Sequence, residues 1–85
     1  MNSMAPDVID LFIEGLTHSD SEVRWSSTKW LRDKGSGQTK AIPALVAYLR
    51  QFPYEGSADE ALANMGVAGN QALIKLILDE NALMD

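Results

Sequence analysis

Apolar residues recur every three to four positions along most of the chain, and they never alternate with polar ones for long. That period is helical and not extended. From Asp7 to Leu16, the residues Ile9, Phe12, Ile13 and Leu16 fall on one side and Asp7, Asp10 and Glu14 on the other, the pattern of a half-buried helix. Pro6 suits its first turn, where a missing N–H costs nothing. A second helix is predicted from Ser19 or Asp20, opened by a Ser19–Glu22 capping box. Its inward stripe reads Val23, Ser27, Trp30, Leu31 and the stem of Lys34, and Gly35 is placed to take a left-handed closing conformation. A third helix covers about Lys40 to Gln51, with Ile42, Leu45, Val46 and Leu49 inward. A fourth, short one runs from Ser57 to Met65, opened by a Ser57–Glu60 capping box and striped by Ala58, Ala61, Leu62 and Met65. Gly66 to Gly69 reads as a turn, Asn70 to Asp79 as a fifth helix, and residues 81–85 as a tail free to fray.

These helices repeat. Ile42–Leu49 overlays Ile9–Leu16 at an offset of 33 and Asn70–Ile77 at 28, while Ser27–Gly35 overlays Ala58–Gly66 at 31. The unit is an outer helix, a turn, an inner helix and a glycine, and one such unit buries its apolar face only by stacking on the next. The expected fold is therefore all-α: about five helices in stacked hairpins, forming one domain over residues 1–85. Its units are residues 6–35, 40–66 and 69–80. A closed five-helix bundle, in which the repeat is only an echo, is the competing architecture.

Asp20-Ser21-Glu22-Val23-Arg24, then Trp30-Leu31 and Gly35, then Ala41-Ile42-Pro43-Ala44-Leu45, resemble the HEAT-like repeat of the phycobilisome-lyase type. Glu60-Ala61-Leu62-Ala63-Asn64-Met65-Gly66 is similar to the inner-helix ending of that repeat. The chain departs from the pattern in its Ser27-Thr28 pair and in lacking a Val-Arg step in its second unit. The resemblance implies an α-solenoid fragment that presents a helical surface to protein partners. It assigns neither the tetrapyrrole nor the damaged-DNA binding of some relatives, because a shared fold does not carry a shared function.

Composition narrows the chemistry. The 85 residues include zero cysteines and one histidine, His18, which removes thiolate chemistry and argues against a histidine metal centre. No cofactor is expected. Twelve acids against seven bases give −5 and an isoelectric point near 4.6, a poor match to a phosphate backbone, so no nucleic-acid partner is expected. The charge is uneven: residues 1–40 hold six acids and five bases, residues 41–85 six acids and two. The longest apolar runs fall far short of the roughly 20 residues a bilayer demands, so no membrane partner and a cytoplasmic location are expected.

Candidate contacts come from two surfaces. On the second helix Trp25 points away from the inward stripe, with Arg32 at nearly the same angle and Thr28 and Lys29 flanking, a composition typical of binding hot spots. The alternative is that Trp25 lies over its own helix, stacked on Arg32 or Lys29, or packs against the loop at Gly35–Lys40. On the fifth helix Leu73, Ile74, Leu76, Ile77 and Leu78 spread around more of the circumference than one neighbour covers. Ile74, Leu78, Leu83 and Met84 are its candidate contacts, Leu73 and Leu76 its core positions. Arg24 should pair with an acid or with nearby carbonyls, and His18 should serve its turn. Glu55, Asp59 and Glu60 read as a solvated helix start, with an acidic patch as the alternative. Without a phosphate loop, metal cluster or nucleophile–base pair, the expected role is non-enzymatic: a scaffold or adaptor that binds a protein partner or a second copy of itself. The other class considered is a small acidic inhibitor or immunity-type protein that blocks a basic active site.

Overall fold

The computed structural model describes residues 8–53 and 55–84, with side chains through 79. All of the regular structure described is helical. Helix α1 spans Val8–Gly15, α2 Ser21–Lys34, α3 Ile42–Gln51 behind a single 3-10 turn at Thr39–Ala41, α4 Ala58–Ala63 and α5 Gly66–Met84. Pro6 and Asp7, assigned to the first turn of α1, lie outside the described residues.

The principal packings are α1 on α2, α2 on α4, α3 on α4, and α5 on both α3 and α4. The helices thus form a row of hairpins and not a closed ring. The core is built from Ile9, Leu16, Leu31, Leu45, Tyr48, Leu62 and Met65 with Ala41, Ala58 and Ala61 between them. Small residues on α4 let it sit close between α2 and α3, and Ala58, Ala61 and Leu62 lose all contact with water there. Phe12 of α1 and Trp30 of α2 stack face to face, with centroids 4.3 Å apart and 6° between the planes. Trp30 is a packing residue, as its stripe predicted.

Three local expectations are corrected. Helix α2 is capped by Asp20, whose carboxylate accepts from the Glu22 N–H at 2.9 Å, and not by Ser19. Gly35 has φ −94°, and the left-handed positions fall instead on Gly37, Gly56 and Gly66. Helix α5 opens at Gly66, four residues before its predicted start, and continues through Met84, so residues 81–84 extend a helix where a frayed tail was expected. The advance is possible because Gly69, in the first turn of α5, presses against the Leu62 carbonyl, where a Cβ would collide.

The buried arc of α2 is also rotated from its predicted centre. Val23 and Lys34 are exposed, while Thr28 is fully buried. A wheel drawn around apolar residues assumes one neighbour. Here α1 and α4 both cover α2, and their shared arc centres on Ser27, Leu31 and Thr28.

Candidate functional site

Two places at equivalent repeat positions can be compared as seats, one filled by a helix and one open among the described residues. The filled seat lies between α2 and α3 and receives α4. Thr28 of α2 and Leu45 and Tyr48 of α3 form its floor. The Ser57 N–H, at the start of α4, donates to Thr28 Oγ1 at 3.0 Å. Thr28 in turn donates to the Trp25 carbonyl at 2.8 Å. Because its hydroxyl receives the chain entering α4, Thr28 is no part of an exposed stripe, and its placement as a contact residue is corrected. Gly56 (φ 72°) passes so close that a Cβ there would stand 2.7 Å from Thr28 Oγ1 and 3.1 Å from the Tyr48 hydroxyl oxygen.

A charged strut closes this seat. Arg24 donates through Nε and Nη2 to Glu55 at 2.9 and 3.0 Å, and through Nη1 to the carbonyls of His18 and Ser19 at 2.9 and 3.0 Å. Its guanidinium lies 4.2 Å from the centre of the Phe52 ring, and the Tyr48 hydroxyl donates to Glu55 Oε2. Hydrogen bonding from Arg24, and next from Tyr48, holds the Glu55 carboxyl below the ordinary carboxylate range. Burial, and next the bond to Glu55, push the Tyr48 phenol up. Glu55 therefore belongs to the strut and not to an acidic patch with Asp59 and Glu60. The pairing of Arg24 with an acid and nearby carbonyls is as its sequence context predicts. His18 serves its turn, its Nδ1 accepting the Asp20 N–H at 3.0 Å.

On the outer side of α2, Trp25 is 55 % exposed and lines an open groove of about 460 Å³ with Lys29, Arg32, Gly56 and Ser57. The structure thus brings together Trp25, Lys29 and Arg32 of the predicted stripe. Arg32 is already engaged, however: it bonds Asp33 at 2.8 Å, Glu60 at 3.3 Å and Ser57 Oγ at 3.2 Å. These bonds raise the Arg32 pKa, Asp33 contributing first. The Ser57 hydroxyl accepts from Arg32 and makes no cap on α4, so the second predicted capping box does not form.

The bare seat lies where α5 meets the start of α4 and the end of α3. At repeat offsets of 31 and 28, Asp59 stands where Thr28 does, and Leu73, Leu76 and Ile77 stand where Leu45, Tyr48 and Leu49 do. These four residues, with Leu49, Arg50 and Pro53, line a groove of about 390 Å³. Arg50, on its rim, pairs with Asp79 of α5 at 3.2 Å. Beside the groove, Val67, Ile74, Ile77 and Leu78 are 56–74 % exposed along one side of α5. Ile74 and Leu78 were candidates from the sequence. Val67 and Ile77 are additions, because the sequence pattern places Val67 in a turn and Ile77 within the general apolar spread of the helix. The seven-residue step from Val67 to Ile74 was the available signal. Leu83 and Met84 belong to the last turn of α5, but their side chains lie outside the described ones.

Among the described residues no group of His, Asp and Glu is arranged to hold a metal ion, and no helix is long and apolar enough to cross a membrane. No protein-family model, curated protein or solved structure matches the chain.

Proposed function

We propose that this chain is a non-enzymatic interaction module of HEAT-like stacked hairpins, which binds a protein partner through the bare side of α5. One observation carries the reading. Ile74 and Ile77 are more than half exposed, whereas their repeat equivalents Ile13 and Val46, and Leu16 and Leu49, are buried or half-buried. An apolar strip of that kind, rimmed by polar residues, is the usual mark of an interface. The internal repeat and the packing of each hairpin on the next support the HEAT-like part of the reading. The charged clusters support binding over catalysis, since their members brace helices against one another. A cytoplasmic setting belongs to the same proposal and agrees with a chain of zero cysteines.

The test compares wild type with Leu78→Glu and Ile74→Glu, checking first by circular dichroism that each stays folded. Proteins held by immobilised wild-type chain from its native source and lost with both variants support the reading, as does a wild-type dimer that both variants dissolve. A monomeric wild type whose bound set is unchanged by either variant overturns it.

A further inference from the structure

Resting on that reading, we infer that the groove that α5 forms with the start of α4 and the end of α3 is a seat for one amphipathic helix of a different protein. That helix has a small-residue face of the type found on α4, and its N-terminal turn lies at Asp59.

The filled seat shows what such a groove accepts. Helix α4 enters with Gly56 and Ser57, gives a backbone N–H to Thr28, and lays Ala58, Ala61, Leu62 and Met65 over Leu45 and Tyr48. The open groove repeats that floor at Leu73, Ile77 and the already buried Leu76, and its walls come from α5, from Asp59 at the start of α4 and from Leu49, Arg50 and Pro53 at the end of α3. An occupant in the same orientation brings its first N–H groups to the position equivalent to Thr28. There the chain carries Asp59, exposed and without a hydrogen bond or ion pair among the described residues. A carboxylate is a stronger acceptor than a hydroxyl for those N–H groups, and it also meets the positive end of the helix dipole. Arg50 does not cancel it, since its charge is taken by Asp79 at 3.2 Å. The groove is therefore apolar at its floor and anionic at one end, which favours a helix with basic flanks.

A second copy of this chain does not meet that description. Its two inner-type helices, α2 and α4, are both already seated within their own molecule, and α4 carries Asp59 and Glu60 at its exposed start. Helix α5 of a second copy presents isoleucine and leucine where the seat takes alanine.

The probe is a blocked peptide of residues 55–66 carrying Glu55→Gln, Asp59→Lys and Glu60→Lys. These changes leave the Ala58, Ala61, Leu62 and Met65 face intact and make the peptide basic. It is titrated into the full ¹⁵N-labelled chain. Expected are saturable amide shifts centred on Leu49, Asp59, Leu73, Leu76 and Ile77, a dissociation constant below about 1 mM, and at least about tenfold weaker binding to the chain bearing Asp59→Lys. A peptide that also carries Leu62→Asp should not bind. The inference is overturned by no saturable shifts at about 2 mM peptide, by shifts centred on Trp25, or by equal binding of the Leu62→Asp peptide. Concentration-dependent shifts at the same residues without peptide would overturn it in favour of a second copy. If the peptide fails but Ile74→Glu still strips the native partner, the seat falls and the proposed function stands. If both fail, both fall.

Discussion

The seat that α4 fills and the seat beside α5 are built at equivalent positions of one repeat, yet they use their residues differently. In the first, Leu45 and Tyr48 are buried, Thr28 receives a backbone N–H, and Arg24, Glu55 and Tyr48 bolt the entering loop in place. In the second, Leu76 replaces Tyr48, Asp59 replaces Thr28, and Glu55 stands at the repeat position of Arg24. Among the described residues, Glu55 and Leu76 cannot take the parts that Arg24 and Tyr48 play in the strut. A helix held permanently within the fold can be fixed by coupled charges that are laborious to assemble. A helix that arrives from outside gains more from an apolar floor and a single anchoring charge, which need little rearrangement. On the proposed reading, the first seat is a fixed joint and the second a reversible one.

The sharpest way to break this comparison is to truncate the same floor position in both seats. Leu45→Ala opens a cavity in a fully closed site and should cost about 3–4 kcal/mol. That is a large share of the roughly 4–13 kcal/mol expected for a domain of this length. Leu73→Ala removes a half-buried side chain beside an open groove and should cost about 1 kcal/mol. Urea titrations followed by circular dichroism give both values. Equal losses would mean that the second seat is as closed as the first.

Next in size is the hydroxyl that receives α4. Thr28→Val keeps the shape but leaves the Ser57 N–H without its acceptor, which should cost about 1–2 kcal/mol. The measurement is again the denaturation midpoint, with amide exchange at Ser57 as the local reading. Unchanged protection at Ser57 would show that Thr28 does not hold the entry to α4.

The strut makes stability depend on pH. The folded Glu55 carboxyl lies below its ordinary value of 4.5, so the unfolded chain takes up that proton more readily. Its contribution is therefore complete above about pH 4.5 and is lost as the pH falls below. The folded Tyr48 phenol lies above its ordinary value of 10.0, so the unfolded chain releases its proton first, and that contribution fades as the pH rises past 10. Melting curves across the acid range should show a steeper decline for wild type than for Glu55→Gln. Parallel curves would remove the strut from the account.

Much of this architecture is legible in the sequence because the repeat is. The helical period, the offsets of 33, 31 and 28, and the core at Leu31, Leu45, Leu62 and Met65 all follow from apolar spacing. What escaped it depends on neighbours. The burial of Thr28 follows from α4 covering a second flank of α2, which no wheel drawn for α2 alone contains. Glu55 groups with Asp59 and Glu60 by sequence proximity, while its partner Arg24 is 31 residues away. The early start of α5 turns on Gly69 fitting against the Leu62 carbonyl, a contact between backbones that side-chain spacing does not register.

The smallest effect is also the most telling about the bare side. Leu78 is 62 % exposed and contributes little to the isolated fold, so Leu78→Ser should move stability by no more than about 0.5 kcal/mol. A leucine of similar size in the filled seat, Leu62, has no exposed surface, and replacing it with serine would both open a cavity and bury a hydroxyl. The contrast separates two explanations of a hydrophobic helix. If α5 is apolar because the fold requires it, Leu78→Ser behaves as a diluted version of the core change and costs more than about 1.5 kcal/mol. If it is apolar because something else is to cover it, the isolated chain tolerates serine and the loss appears only when the partner is present. Denaturation of the free chain decides between them without knowledge of the partner.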